Sequence, residues 1–136
     1  MFAISARVDY GLLILVELMH SGVGKYHSLA DIAHKHQMSP KFLSQVVMPL
    51  KQAGLVISRE GKTGGYTLAR DPETISLRTI VEAMDGPIQL TRCMDGNKSC
   101  PADSSCTTKP VWSKLNESLY LLLEQQTLAD LSSKSL

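Results

Sequence analysis

Ser28-Leu-Ala-Asp-Ile-Ala-His-Lys-His-Gln-Met-Ser-Pro-Lys-Phe-Leu-Ser-Gln-Val-Val-Met-Pro-Leu50 decides how this chain folds. It contains two helix starts. Ser28, with Asp31 three residues on, reads as a capping box in which Asp replaces the usual Glu. Leu29, Ile32 and Ala33 then turn inward, and the helix stops near His36-Gln37. Ser39 is a second N-cap. Pro40 suits the first helical position, where its missing N–H would have no partner anyway. Phe42, Leu43, Val46, Val47 and Leu50 share one face, and Gly54 closes the helix. Pro49 lacks a backbone donor, which predicts a bend or an early end there. Two short helices joined by three or four residues predict a helix-turn-helix.

Forward of this stretch, Leu55-Val-Ile-Ser58 and Gly65-Tyr-Thr-Leu68 read as strands around the glycine-rich loop Arg59-Glu-Gly-Lys-Thr-Gly64. A hairpin directly after a helix-turn-helix predicts a wing. Backward, residues 4–20 predict a helix, with Ile4, Val8, Gly11 or Leu12, Leu15, and Leu18 or Met19 at helical spacing and Leu13, Ile14 and Val16 broadening its apolar face. Past the wing, Ser76 caps another helix that runs to Met84 and is ended by Asp85-Gly-Pro87. After Cys106, Thr108 and Pro110 signal a last helix. Trp112, Leu115, Leu119 and Leu122 step by three, four and three, the spacing of a coiled-coil seam. Tyr120, Leu121 and Leu123 widen that stripe, so the helix is expected to form a dimer and to pack on its own domain as well. An ordinary intradomain helix is the alternative.

The fold class expected is therefore mainly α with a small β-hairpin wing. A winged helix-turn-helix domain occupies residues 1–72. A connecting helix and cysteine loop follow over 73–107, and a long dimerisation helix with its tail over 108–136. Hydrophobic residues make up 43% and charged residues 20% of 136, enough for one globular core. The net charge of +1 is unevenly spread: residues 1–70 hold eight Lys/Arg and four Asp/Glu. A basic front half points to an anionic partner, above all double-stranded DNA. Ser28, Ser39, Pro40, Lys41, Ser44 and Gln45, at the starts of the two helices, are candidate DNA contacts. Arg59, Lys62 and Thr63 in the wing join them. No signal peptide precedes the first helix and no apolar run is long enough for a membrane, so a cytoplasmic protein is expected.

All three cysteines, Cys93, Cys100 and Cys106, fall in one stretch of small and polar residues with gaps of six and five. Such a stretch has little apolar surface to order itself. Clustered thiolates select zinc, copper(I) or iron–sulfur centres. A disulfide fits a reducing compartment badly. Zinc usually takes closely paired ligands, and the wide spacing favours an iron–sulfur cluster, with three unrelated surface thiols as the remaining reading.

Asp9-Tyr10-Gly11, Ser28-Leu-Ala-Asp-Ile-Ala33, Gly54-Leu-Val56, the wing Gly61-Lys-Thr-Gly-Gly-Tyr66, the three-cysteine loop, Trp112 and Thr127-Leu-Ala-Asp-Leu131 occur in an order and spacing that resembles the IscR/NsrR family of winged-helix transcription regulators. The resemblance covers essentially the whole chain. It implies a homodimeric DNA-binding regulator whose cysteines hold a 2Fe–2S or 4Fe–4S cluster, with cluster state setting DNA affinity. The chain departs from the family pattern where Glu60 separates Arg59 from Gly61, and in a slightly longer first cysteine gap. Lys109 stands where the branch sensing cluster supply has a ligand His. Asp9 matches the acid used by the nitric-oxide-sensing branch, which implies Asp9 as fourth ligand; Asp95 and Asp103 are the local alternatives. No convergent acid–base set supports an enzyme. A zinc-stabilised regulator and a small iron–sulfur redox protein are the competing functions.

Overall fold

The computed structural model describes residues 3–91 and 105–132. Among these, five α-helices surround one hairpin. Helix α1 (Ala6–Ser21) is followed by α2 (Leu29–Lys35) and α3 (Pro40–Gln52). Strands β1 (Val56–Arg59) and β2 (Gly65–Leu68) come next, then a 3-10 turn (Pro72–Thr74) and α4 (Leu77–Asp85). The described part ends with α5 (Lys109–Gln125) and a 3-10 helix, Leu128–Ser132.

The caps that set α2 and α3 are the ones their sequences predict. The Ser28 hydroxyl accepts the Asp31 N–H at 3.0 Å, and the Ser39 hydroxyl accepts the Phe42 N–H at 3.4 Å. Between the helices Gln37 takes the left-handed conformation (φ 56°), which lets the Met38 N–H reach the Ala33 carbonyl at 2.8 Å. Pro49 does not end α3, which runs on to Gln52. The proline falls one turn from the end, where only a single donor is lost.

The hairpin is antiparallel, with Val56 opposite Leu68 and Arg59 opposite Gly65. The main chain of His27 extends it on the other edge of β2: His27 N–H donates to the Tyr66 carbonyl at 2.8 Å, and Tyr66 N–H returns the bond at 2.7 Å. The approach of His27 requires glycine at position 65, and the turn of the wing requires it at 64. A Cβ on Gly65 (φ +135°) would run into the His27 carbonyl, and one on Gly64 into the carbonyl of Arg59.

One core joins these elements. Ile14, Leu15 and Leu18 of α1 meet Leu43, Val47 and Leu50 of α3, Leu55 and Leu68 of the hairpin, and Ile80 of α4. The C-terminal 3-10 helix enters the same core. Leu128 is 0% exposed; its N–H donates to the Ile75 carbonyl at 2.8 Å, and Leu77 N–H donates to the Gln126 carbonyl at 2.8 Å. Helix α5 is thus tied back to the start of α4 at its far end.

A polar tie links α1 to α2. Glu17 Oε1 lies 2.9 Å from His36 Nε2, and both of its carboxylate oxygens lie 3.0 Å from Lys35 Nζ. Burial pushes the Glu17 carboxyl up, but the bonds from His36 and Lys35 outweigh it and hold the group below its ordinary 4.5. A depressed carboxyl stabilises the fold above about pH 4.5, and that stabilisation is lost as pH falls through the folded value. Glu17→Gln is expected to lower stability by about 1–2 kcal/mol at pH 7. The deficit should shrink below pH 4.5 in urea titrations. A deficit independent of pH would mean the carboxylate charge is not what links the helices.

Candidate nucleic-acid interface and cysteine loop

Helix α3 buries Leu43, Val46, Val47 and Leu50, which leaves Pro40, Lys41, Ser44, Gln45 and Met48 on its solvent side. These five positions form one continuous row. Tyr10 of α1 meets Phe42 edge-on, with ring centroids 5.0 Å apart, and so supports the start of the helix from behind. Ser44 donates to the Pro40 carbonyl at 2.9 Å and keeps its lone pairs outward. Ser28 and Ser39 spend an acceptor on their caps, which fixes where each helix begins. Met48 is the one member of the row that the residue pattern did not mark, because a methionine carries no charge or amide to flag it.

In the wing, Lys62 and Thr63 are exposed. Arg59 is exposed too, but it is held: its Nη2 donates to the Thr63 carbonyl at 2.9 Å, and its guanidinium sits 4.1 Å from the centroid of the Tyr26 ring. Tyr26 immediately precedes His27, whose main chain extends the hairpin. The segment leading into α2 therefore supports the wing through both backbone and side chain. Sequence reasoning missed Tyr26, since nothing local pairs it with a residue 33 positions away.

Of the metal-ligand candidates, Cys93, Cys100, Asp95 and Asp103 lie outside the described residues. Cys106 is half-buried just ahead of α5, with Sγ 3.4 Å from Thr108 Oγ1. No group of three or more His, Cys, Asp or Glu among the described residues could hold a metal. The donor chemistry of the chain nonetheless fits a soft metal centre, because its only thiols fall within fourteen residues. The approach to that loop is fixed: Leu90 N–H donates to Asn116 Oδ1 of α5 at 3.1 Å, and the Tyr120 hydroxyl donates to the Ile88 carbonyl at 2.8 Å. Arg78 of α4 stacks on Tyr120 (4.5 Å) and pairs with Glu82 (3.0 Å) and Glu124 (3.6 Å). Asp9 is exposed in the first turn of α1 and makes no ion pair with Arg7. The start of α1 is anchored beside the end of α4, where Ser5 N–H and Oγ donate to Asp85 at 3.0 and 2.6 Å.

The outer face of α5 carries an uncovered apolar stripe. Val111 (57%), Trp112 (41%), Leu115 (46%) and Leu122 (61%) are exposed, while Leu119 turns partly inward with Tyr120 and Leu123. No described helix is long and apolar enough to cross a membrane.

Comparison with known proteins places this geometry. The chain is 32% identical over 128 residues to Protein rrf2 of Nitratidesulfovibrio vulgaris, covering 94% of this chain and 85% of that one. It is 33% identical over 130 residues to the HTH-type transcriptional regulator IscR of Yersinia pseudotuberculosis, covering 96% and 74%. The solved structure of CymR, the global cysteine regulator of B. subtilis, superposes with a TM-score of 0.78 at 32% identity over 99% of both chains. The family model described as Rrf2, iron-dependent transcriptional regulator, matches residues 4–134. With a recognition helix and wing in place and the match running nearly end to end, this chain belongs to the Rrf2 family of DNA-binding transcriptional regulators.

Proposed function

We propose that the protein is a homodimeric repressor whose affinity for double-stranded DNA is set by an iron–sulfur cluster sensing nitric oxide, redox state or cluster supply in the cytoplasm. The observation that carries this reading is the open row on α3 beside the wing: Lys41, Ser44 and Gln45 can reach base edges in a major groove while Lys62 and Thr63 meet the backbone. The uncovered stripe on α5 supports a two-fold dimer, which matches two half-sites on DNA. Cys93, Cys100 and Cys106 supply three soft ligands, and Asp9 the fourth, reaching from α1 of the partner protomer. A carboxylate is ionised at neutral pH and is a harder, more easily displaced ligand than a thiolate. A bound cluster would supply a centre reactive toward small oxidants and nitric oxide. The chain's own part is to hold the loop: Asn116 and Tyr120 fix its approach on α5, and the Arg78 contacts join α5 to α4.

A zinc-stabilised regulator without redox sensing is the second reading. It keeps the same DNA-reading head and places zinc instead of a cluster on the three thiols. The family is one of regulators, not enzymes, so the redox-protein alternative is set aside.

Anaerobically purified protein is expected to be brown, with iron and sulfide in stoichiometric amount. Cys93→Ala, Cys100→Ala and Cys106→Ala should each abolish the visible absorption. Asp9→Ala should alter the spectrum or the response to nitric oxide, whereas Asp95→Ala and Asp103→Ala should not. Colourless protein holding one zinc per chain would establish the second reading instead, and an unaltered Asp9→Ala would remove Asp9 from the ligand set.

A further inference from the structure

Arg59 is an exposed cation in a wing, and such a side chain is ordinarily a free tether that must be ordered when DNA binds. Here it is ordered already. The Tyr26 ring lies under its guanidinium at 4.1 Å, and the Thr63 carbonyl takes one of its N–H groups at 2.9 Å. Those two contacts close the loop from residue 59 to 63 into a ring and pin that ring to the segment before α2. An arginine has five N–H donors and only one is spent, so the others stay available to an anion. A cation over an aromatic face also keeps its full charge.

We infer that Tyr26 is a positioning residue for DNA binding. It touches no nucleic acid itself but holds Arg59, and with it the wing, in the pose that meets the phosphate backbone or minor groove. The inference rests on the reading of the wing as a DNA contact. Pre-ordering a long side chain raises affinity because less freedom is lost on binding. An exposed cation–π contact is worth about 0.5–1 kcal/mol, which corresponds to roughly two- to fivefold in affinity. The ring face, not the hydroxyl, is what Arg59 meets, so phenylalanine should serve equally.

The test is a double-mutant cycle on a duplex that the wild-type protein selects from a random-sequence pool, titrated at several salt concentrations. Tyr26→Phe should bind like wild type. Tyr26→Leu should bind roughly two- to fivefold more weakly with an unchanged salt slope, since no phosphate contact is removed. Arg59→Ala should weaken binding and lower the slope by about one, as should Lys62→Ala. In the Arg59→Ala background, Tyr26→Leu should have no further effect. If Tyr26→Leu matches wild type, or weakens binding equally with and without Arg59, the positioning role is overturned while the wing remains a DNA contact. If Arg59→Ala and Lys62→Ala both leave affinity and slope unchanged, the wing itself is not a contact and the inference falls with it.

Discussion

Leu128→Ala is expected to destabilise the protein by about 2–5 kcal/mol, the range for removing a leucine from a packed core. The thermal midpoint should fall by roughly 10 °C. The reason lies in where Leu128 sits. It is fully buried among residues from the opposite end of the chain, and its backbone N–H bonds to Ile75. Leu131, three residues on, is 41% exposed, and Leu131→Ala should stay within about 0.5 kcal/mol of wild type. Both variants should be compared at one protein concentration, because a dimer's apparent stability depends on it. Equal stabilities for the two variants would show that the C-terminal turn does not dock as described. A cavity at residue 128 should also loosen the start of α4, since Leu77 N–H bonds to the carbonyl of Gln126. Proteolysis within 126–132 is the independent readout.

The second large effect is expected at the outer face of α5. Leu115→Glu combined with Leu122→Glu should convert the dimer to monomers in sedimentation at micromolar concentration. DNA affinity should fall by about two orders of magnitude or more, as two heads lose their linkage. Each fully buried leucine contributes about 1.5–3 kcal/mol, and a two-fold seam loses four of them at once. Leu115 and Leu122 are the right pair because they are exposed in the single chain, so the substitutions leave its core intact. Leu119 would be a poor choice, as it packs partly against its own core. Persistence of a dimer in the double variant would show that the partner docks elsewhere and that the stripe covers something other than a second copy.

Short-range chemistry made the helix-turn-helix readable from residues alone. Ser28, Ser39 and Pro40 each act within one turn of themselves, and the structure uses the two serines as caps and Pro40 as the first residue of α3. The wing was readable for the same reason: two strands with glycines between them specify a hairpin locally. What residue patterns could not show is long-range. A five-residue 3-10 helix has no periodicity, so nothing in Thr127-Leu-Ala-Asp-Leu131 separates the buried Leu128 from the exposed Leu131. Glu17 with His36, and Tyr26 with Arg59, are pairs that only folding brings together. Pro49 marks a third kind of limit. Its effect depends on its distance from the helix end: the helix does not stop early at Pro49 but runs on to Gln52, since only one bond is lost in the last turn. The cysteines suggest soft-metal chemistry by thiol softness and spacing, while the bonds of Leu90 to Asn116 and of Ile88 to Tyr120 are long-range and left no local mark.

The docking of Leu128 also governs how the protein is born. Synthesis proceeds from the N-terminus at about 5–20 residues per second, and a domain completes itself only when its last core residue has emerged. Here that residue is Leu128, which follows the cysteine loop and α5 in the chain, and its partners include Ile75 and the residues of α1. The DNA-reading head is therefore unfinished for as long as the ribosome is still making the cysteine loop and α5. A chain that stops before Leu128 is expected to carry a destabilised head. Closing such a distant contact also makes folding slower than in a helical protein stitched together by neighbours alone.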